Sequence, residues 1–135
     1  MRLQGPHNRA QRISAAIAAL FGAVTLFAGG RILLGLGEAG YAVVSGVLIF
    51  NTSMGLFYLV AAVLIVRSVE AGRIAAGAIA IVNLAVLTFI VVRRLSGGIV
   101  ANETMIAMTL RTVVWMGIFV LLSRSLRQRS AVSVG

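Results

Sequence analysis

Apolar residues in this chain neither alternate with polar ones nor recur along a single helical face. They run on in four stretches, over about 13–36, 41–66, 74–92 and 104–123, parted by short gaps that carry arginine and glycine. A helix that is apolar all round belongs inside a large core or inside a bilayer. A chain of 135 residues has no such core to offer four of them. About 20 residues are needed to cross a hydrocarbon layer of ~30 Å, and each stretch comes close to that length. The pattern therefore predicts an all-α membrane protein, a bundle of four antiparallel transmembrane helices joined by short turns. Its organisation is expected to be a basic lead over 1–12, the transmembrane domain over 13–123 and a basic tail over 124–135, with no room for a second, soluble domain.

The gaps support that division. Gly35, Gly37, Glu38 and Gly40 make a glycine-rich turn after the first span, and Tyr41 stands where an interfacial anchor belongs. Arg67, Glu70 and Arg73 mark a tight connection, and Ser96, Gly97 and Gly98 supply the next turn. Asn102 followed by Glu103 predicts a helix start, with an amide cap and an acid in the first turn. The first stretch, with Arg2, Arg9 and Arg12 ahead of it and Ala28, Gly29 and Gly30 within it, imitates a secretory signal. Its apolar run continues through Ile32 to Leu36, too long for a signal's core, and it is expected to be a span.

Composition changes the picture mainly by subtraction. Hydrophobic residues make up 60% of the chain and charged ones 11%, far from the balance of a soluble domain. The net charge of +9 comes from twelve arginines placed singly or in pairs beside the apolar spans, not gathered on a polar face. Membrane topology accounts for them better than nucleic acid does, so no nucleic-acid partner is expected. Arg2, Arg9, Arg12, Arg67, Arg73, Arg124, Arg127 and Arg129 fall on one side of the spans, and Arg31, Arg93 and Arg94 on the other. That bias puts both termini in the cytoplasm of what is expected to be a bacterial inner membrane, with anionic lipid against the basic ends. With no Cys and a single His, His7, the chain offers no metal or haem ligand set, and no cofactor is expected. The methionines Met54, Met105, Met108 and Met116 are spaced as packing or lipid-facing residues rather than as a copper site.

Arg111 belongs to neither side of the arginine count. It lies about eight residues into the fourth span, ~12 Å down at the rise of an α-helix, and a charge at that depth must face the bundle interior, a water-filled cavity or a partner. Asn51 and Asn83 approach the same depth from the second and third spans. With Trp115 and Tyr58 they make a candidate intramembrane polar site around Arg111. Its functional reading is an anion or polar-ligand site, since guanidinium offers a fixed fork of donors. Its structural reading, which weighs more on the sequence alone, is an internal lock of hydrogen bonds between helices. Arg31, Glu38 and Glu103 are expected at an outer charged rim. Small residues, Gly22, Gly29, Gly46, Gly55, Gly72 and Ala76, are candidates for close helix packing.

No nucleophile with a base and no phosphate loop is present, so an enzyme is not expected. The first function expected is a non-catalytic accessory or structural subunit, packing through its small-residue faces against other membrane subunits or a second copy of itself. The alternative is a small oligomeric transporter or channel for a polar or anionic solute, using the Arg111, Asn51 and Asn83 cluster. A weaker third is a membrane enzyme or quinone-binding protein built on Arg111 and Tyr58.

Overall fold

A computed structural model describes residues 6–37 and 45–135. Four helices make up nearly all of it: α1 (Pro6–Leu33), α2 (Ser45–Arg67), α3 (Val69–Leu95) and α4 (Asn102–Val134). There is no strand among the described residues. All four helices are long and apolar enough to cross a membrane. Their sequences are rich in Ala, Leu, Ile and Val, and the one proline, Pro6, sits at the first position of α1, where its missing N–H costs nothing.

Each break has a local cause. After α1, Gly35 turns to φ 69°, its N–H donates to Ile32 O at 3.1 Å, and the Leu36 N–H donates to Arg31 O at 2.9 Å. After α3, Gly97 adopts φ 87° and donates to Arg94 O at 3.1 Å, while Gly98 donates to Arg93 O at 2.9 Å. Both are glycine-terminated caps in which the left-handed residue lets the chain satisfy the last carbonyls, a conformation a β-carbon disfavours. Between α2 and α3 one residue suffices. Ser68 is extended, and its Oγ accepts from the Ala71 N–H at 3.3 Å. The sharpness of this corner depends on Gly72, where a β-carbon would stand 2.7 Å from the Ile65 Cα.

Packing joins the helices around a ring, most extensively α1 to α2 and α3 to α4, less so α2 to α3 and α1 to α4. The contacts pair positions in reverse order. On α1 and α2, Gln11 Nε2 donates to Ile65 O at 2.6 Å, Gly22 faces Gly55, and Gly29 faces Thr52. Between α2 and α3, Tyr58 bonds Asn83; between α3 and α4, Arg94 Nη1 donates to Asn102 Oδ1 at 2.7 Å and Gly77 abuts Phe119. The shared interior holds Ala15, Ala18, Ala61, Ile65, Ala76, Ile79, Trp115, Ile118 and Leu122. Many large apolar residues remain outside it, Phe27 at 68% exposure and Ile81 at 70% among them. In water that surface would be a severe liability.

Several local expectations change. Residues 6–12 of the basic lead are the first turns of α1, and α4 runs on through most of the tail to Val134. The stretch from Arg67 to Arg73 is a one-residue corner, with its charges on helix ends. Asn102 is not the cap of α4: that place falls to Ala101, without a side-chain bond, and the Asn102 side chain serves Arg94 instead. Of the packing glycines, Gly22, Gly29, Gly55 and Gly72 are pressed against neighbours and Ala76 is fully buried. Gly46, in the first turn of α2, is exposed with open space where a β-carbon would stand. Glu38 and Tyr41 lie outside the described residues.

Candidate functional site

Polar side chains are scarce in these helices, and where they occur they converge. Thr25, Ala28, Gly29 and Ile32 share one face of α1 at helical spacing; Val47, Leu48, Asn51 and Thr52 share a face of α2; Thr104, Ala107 and Arg111 share a face of α4. These faces enclose a cavity of about 100 Å³. That is room for several waters or a solute of a few heavy atoms. The glycine and alanines on its wall keep the backbones close without filling it. Gly29 is the tightest point, since a β-carbon there would collide with the Thr52 side chain.

Arg111 forms one wall. It is half-buried, nine residues into α4, ~14 Å along the helix from Asn102. Its Nη1 lies 3.7 Å from Met108 Sδ. Thr25, Ala107 and Arg111 also line a second space, about 300 Å³ between α1 and α4, whose other residues are Leu20, Phe21, Val24 and Leu110. Arg111 and Thr25 therefore stand between a cavity of mixed lining and an apolar groove on the least tightly packed seam of the ring. Asn51 Oδ1 is buried without a hydrogen-bond partner. Thr52 donates to Leu48 O at 2.8 Å, so its hydroxyl is already used in the way usual for a threonine inside an apolar helix.

Below this cavity the remaining candidates form a different kind of structure. Tyr58 Oη donates to Asn83 Oδ1 at 3.2 Å, and the Tyr58 ring meets Trp115 with centroids 4.9 Å apart at 36°. Tyr58, Asn83 and Trp115 are wholly buried. Two donors stay unsatisfied there, Asn83 Nδ2 and Trp115 Nε1. Trp115 lies one turn beyond Arg111 on α4, so the aromatic pair closes the interior just past the cavity. Buried Thr112 donates to Met108 O at 2.8 Å.

The five side chains singled out from the sequence thus resolve into two neighbouring groups: Arg111 and Asn51 on the cavity wall, and Tyr58, Asn83 and Trp115 as a packed cluster beneath. Tyr58 ties the second group together, through its hydrogen bond to Asn83 and its ring contact with Trp115. The rim residues do not join. Arg31 folds back over Phe27, with Cζ 5.7 Å from the ring centre, and Nη2 reaches Leu36 O at 3.5 Å; Glu103 is exposed in the first turn of α4. Thr25 was not apparent from composition alone. The signal for it is its place between Gly22 and Gly29 on the α1 face that packs inward. Among the described residues no group of acids and histidines is placed to hold a metal ion. Comparison with protein families, with curated proteins and with solved structures finds no match for this chain.

Proposed function

We propose that this is a small polytopic membrane protein, its four helices antiparallel spans with both termini cytoplasmic, that takes a small polar solute into the cavity walled by Arg111, Asn51, Thr25, Thr52 and Thr104. One observation carries the reading: in a chain so apolar, polar side chains from α1, α2 and α4 surround a space rather than fill it. Polar groups inside a bilayer are expensive, so polar side chains gathered on the wall of a cavity mark a place where a polar solute can be held. The size of the space limits the solute to a few heavy atoms. Arg111 and Asn51 are the residues assigned to hold it, and the Tyr58–Asn83–Trp115 cluster is the barrier it meets next. The role is transport or channelling, without chemistry.

The test is osmotic swelling of phosphatidylglycerol and phosphatidylcholine liposomes containing the purified protein, followed by light scattering with urea, glycerol, formate and glycine as probes. At least one solute should enter faster than into empty liposomes, and Arg111→Leu and Asn51→Leu should slow that entry while the helical content stays constant. Entry no faster than through lipid alone, for every probe, removes the reading.

The accessory-subunit reading is favoured by a separate observation, the breadth of apolar surface that the four helices leave outside their own interior. It predicts that the protein leaves native membranes in mild detergent with other chains attached, and that Arg111→Leu weakens this copurification or the bundle itself without touching any flux.

A further inference from the structure

At the opposite end of the bundle, α1 and α2 leave a shallow groove of about 420 Å³ lined by Ala15, Ala16, Ala19, Ala62, Val63, Val66 and Arg67. We propose that this groove is a binding site for one anionic phospholipid, an acyl chain lying along the alanines and the headgroup phosphate held by Arg67 and Arg12. The site rests on the reading of the helices as membrane spans, and not on what the cavity around Arg111 carries.

The groove exists because its floor is made of small residues. Ala15 and Ala62 are buried, and the exposed Val63 and Val66 stand as one rim. Gln11 Nε2 bonds Ile65 O at 2.6 Å and Val66 O at 3.2 Å, which fixes the start of α1 against the end of α2 and holds the mouth of the groove in one shape. Arg12 lies on the same α1 face as Ala16 and Ala19 by spacings of four and seven, and Arg67 on the same α2 face as Val63. Both arginines are exposed. An apolar trough that ends in two cations has the charge pattern of a phospholipid with a net negative headgroup, because aliphatic stems and guanidinium heads then occupy hydrocarbon and interface respectively.

Charge also decides against a second copy of this chain as the occupant. The start of α1 and the α2–α3 corner that meet here carry Arg9, Arg12, Arg67 and Arg73 against a single acid, Glu70. A like copy would bring the same cations to the same mouth.

Native mass spectrometry of the protein released into mild detergent from nanodiscs of equal dioleoyl phosphatidylglycerol and dioleoyl phosphatidylcholine tests the site. One phosphatidylglycerol should be retained in preference to phosphatidylcholine. Arg12→Gln and Arg67→Gln should each reduce that preference about fivefold, whereas Arg129→Gln should leave it intact. Ala16→Leu, which fills the groove from an exposed position without disturbing the core, should abolish retention of both lipids. No headgroup preference, or equal behaviour of all three arginine variants, overturns the site. A shift in oligomer mass with Ala16→Leu in place of lipid loss gives the groove to a second copy and also overturns it. A chain that stays dispersed in water without detergent sinks the membrane reading itself, a result distinct from any of these.

Discussion

Tyr58 is where the two halves of the interior meet. Its hydroxyl gives Asn83 the one hydrogen-bond partner its side chain has among the described residues, while its ring packs on Trp115. Tyr58→Phe keeps the ring and removes the hydroxyl, which leaves both ends of a fully buried amide unbonded. Interhelical hydrogen bonds inside membranes contribute ~0.6 kcal/mol on average, but stranding a buried polar group costs ~1–3 kcal/mol, and the second effect dominates here. The single variant should lower the thermal midpoint in detergent. The double variant Tyr58→Phe/Asn83→Leu, in which neither group remains to be satisfied, should recover most of the loss. A double variant less stable than Tyr58→Phe would show that the amide has partners of its own. Asn51, Asn83 and Arg111 were legible in the sequence because a polar side chain in an unbroken apolar run has few reasons to be there. That they divide into a cavity wall and a packed cluster was not. Depth counted from a span's end fixes height in the membrane but not the direction a side chain faces.

At the scale of the helices, close approach rather than hydrophobic drive sets the pairing, since lipid is as apolar as the side chains it replaces. The α1–α2 seam shows this. A β-carbon on Gly55 would meet Leu26 Cγ at 2.8 Å and the Leu26 nitrogen at 3.0 Å, and one on Gly22 would meet Gly55 O at 3.0 Å. Backbone cannot move aside as the tip of a flexible side chain can. Gly55→Leu is therefore expected to destabilise by at least the ~1–3 kcal/mol typical of overpacking, and to lower the thermal midpoint accordingly. Because Gly55 lies beside the wall that carries Asn51, solute entry should fall with it. Gly46→Ala is the control: with open space around it, the substitution should change stability by no more than ~1 kcal/mol, and in the favourable direction, since alanine is the better helix former. Equal damage from both would mean that helix separation is not set by glycine contact. The element pattern itself was plain from sequence, as were glycine-bearing turns after α1 and α3, although not that Gly35 and Gly97 cap the helices. The ends were not, for a physical reason: hydropathy reports where lipid begins, whereas a helix continues past that boundary as long as its hydrogen bonds do. Arg67, Glu70 and Arg73 therefore resembled a loop while belonging to helix ends, with Ser68 the single break.

For the whole molecule, the distribution of arginine makes a prediction that the helix contacts sharpen. In the antiparallel arrangement proposed above, the start of α1, the α2–α3 corner and the last turns of α4 stand at one end, and the ends of α1 and α3 at the other. The first end collects Arg9, Arg12, Arg67, Arg73, Arg124, Arg127 and Arg129; the second has Arg31, Arg93 and Arg94. Basic segments beside short spans are retained on the cytoplasmic side, so the first end should face inward. The natural absence of cysteine makes the test clean. Ser133→Cys, in the last turn of α4, and Ser96→Cys, at the cap of α3, are both at exposed positions. In intact bacterial cells expressing each variant, a membrane-impermeant maleimide should label position 96 and spare position 133 until the cells are opened. Equal labelling of both in intact cells would mean mixed orientation, with the arginine bias too weak to fix topology. Labelling of 133 alone would invert the protein, put the groove ending in Arg12 and Arg67 on the outer leaflet, and turn the cavity beside Arg111 toward the cytoplasm.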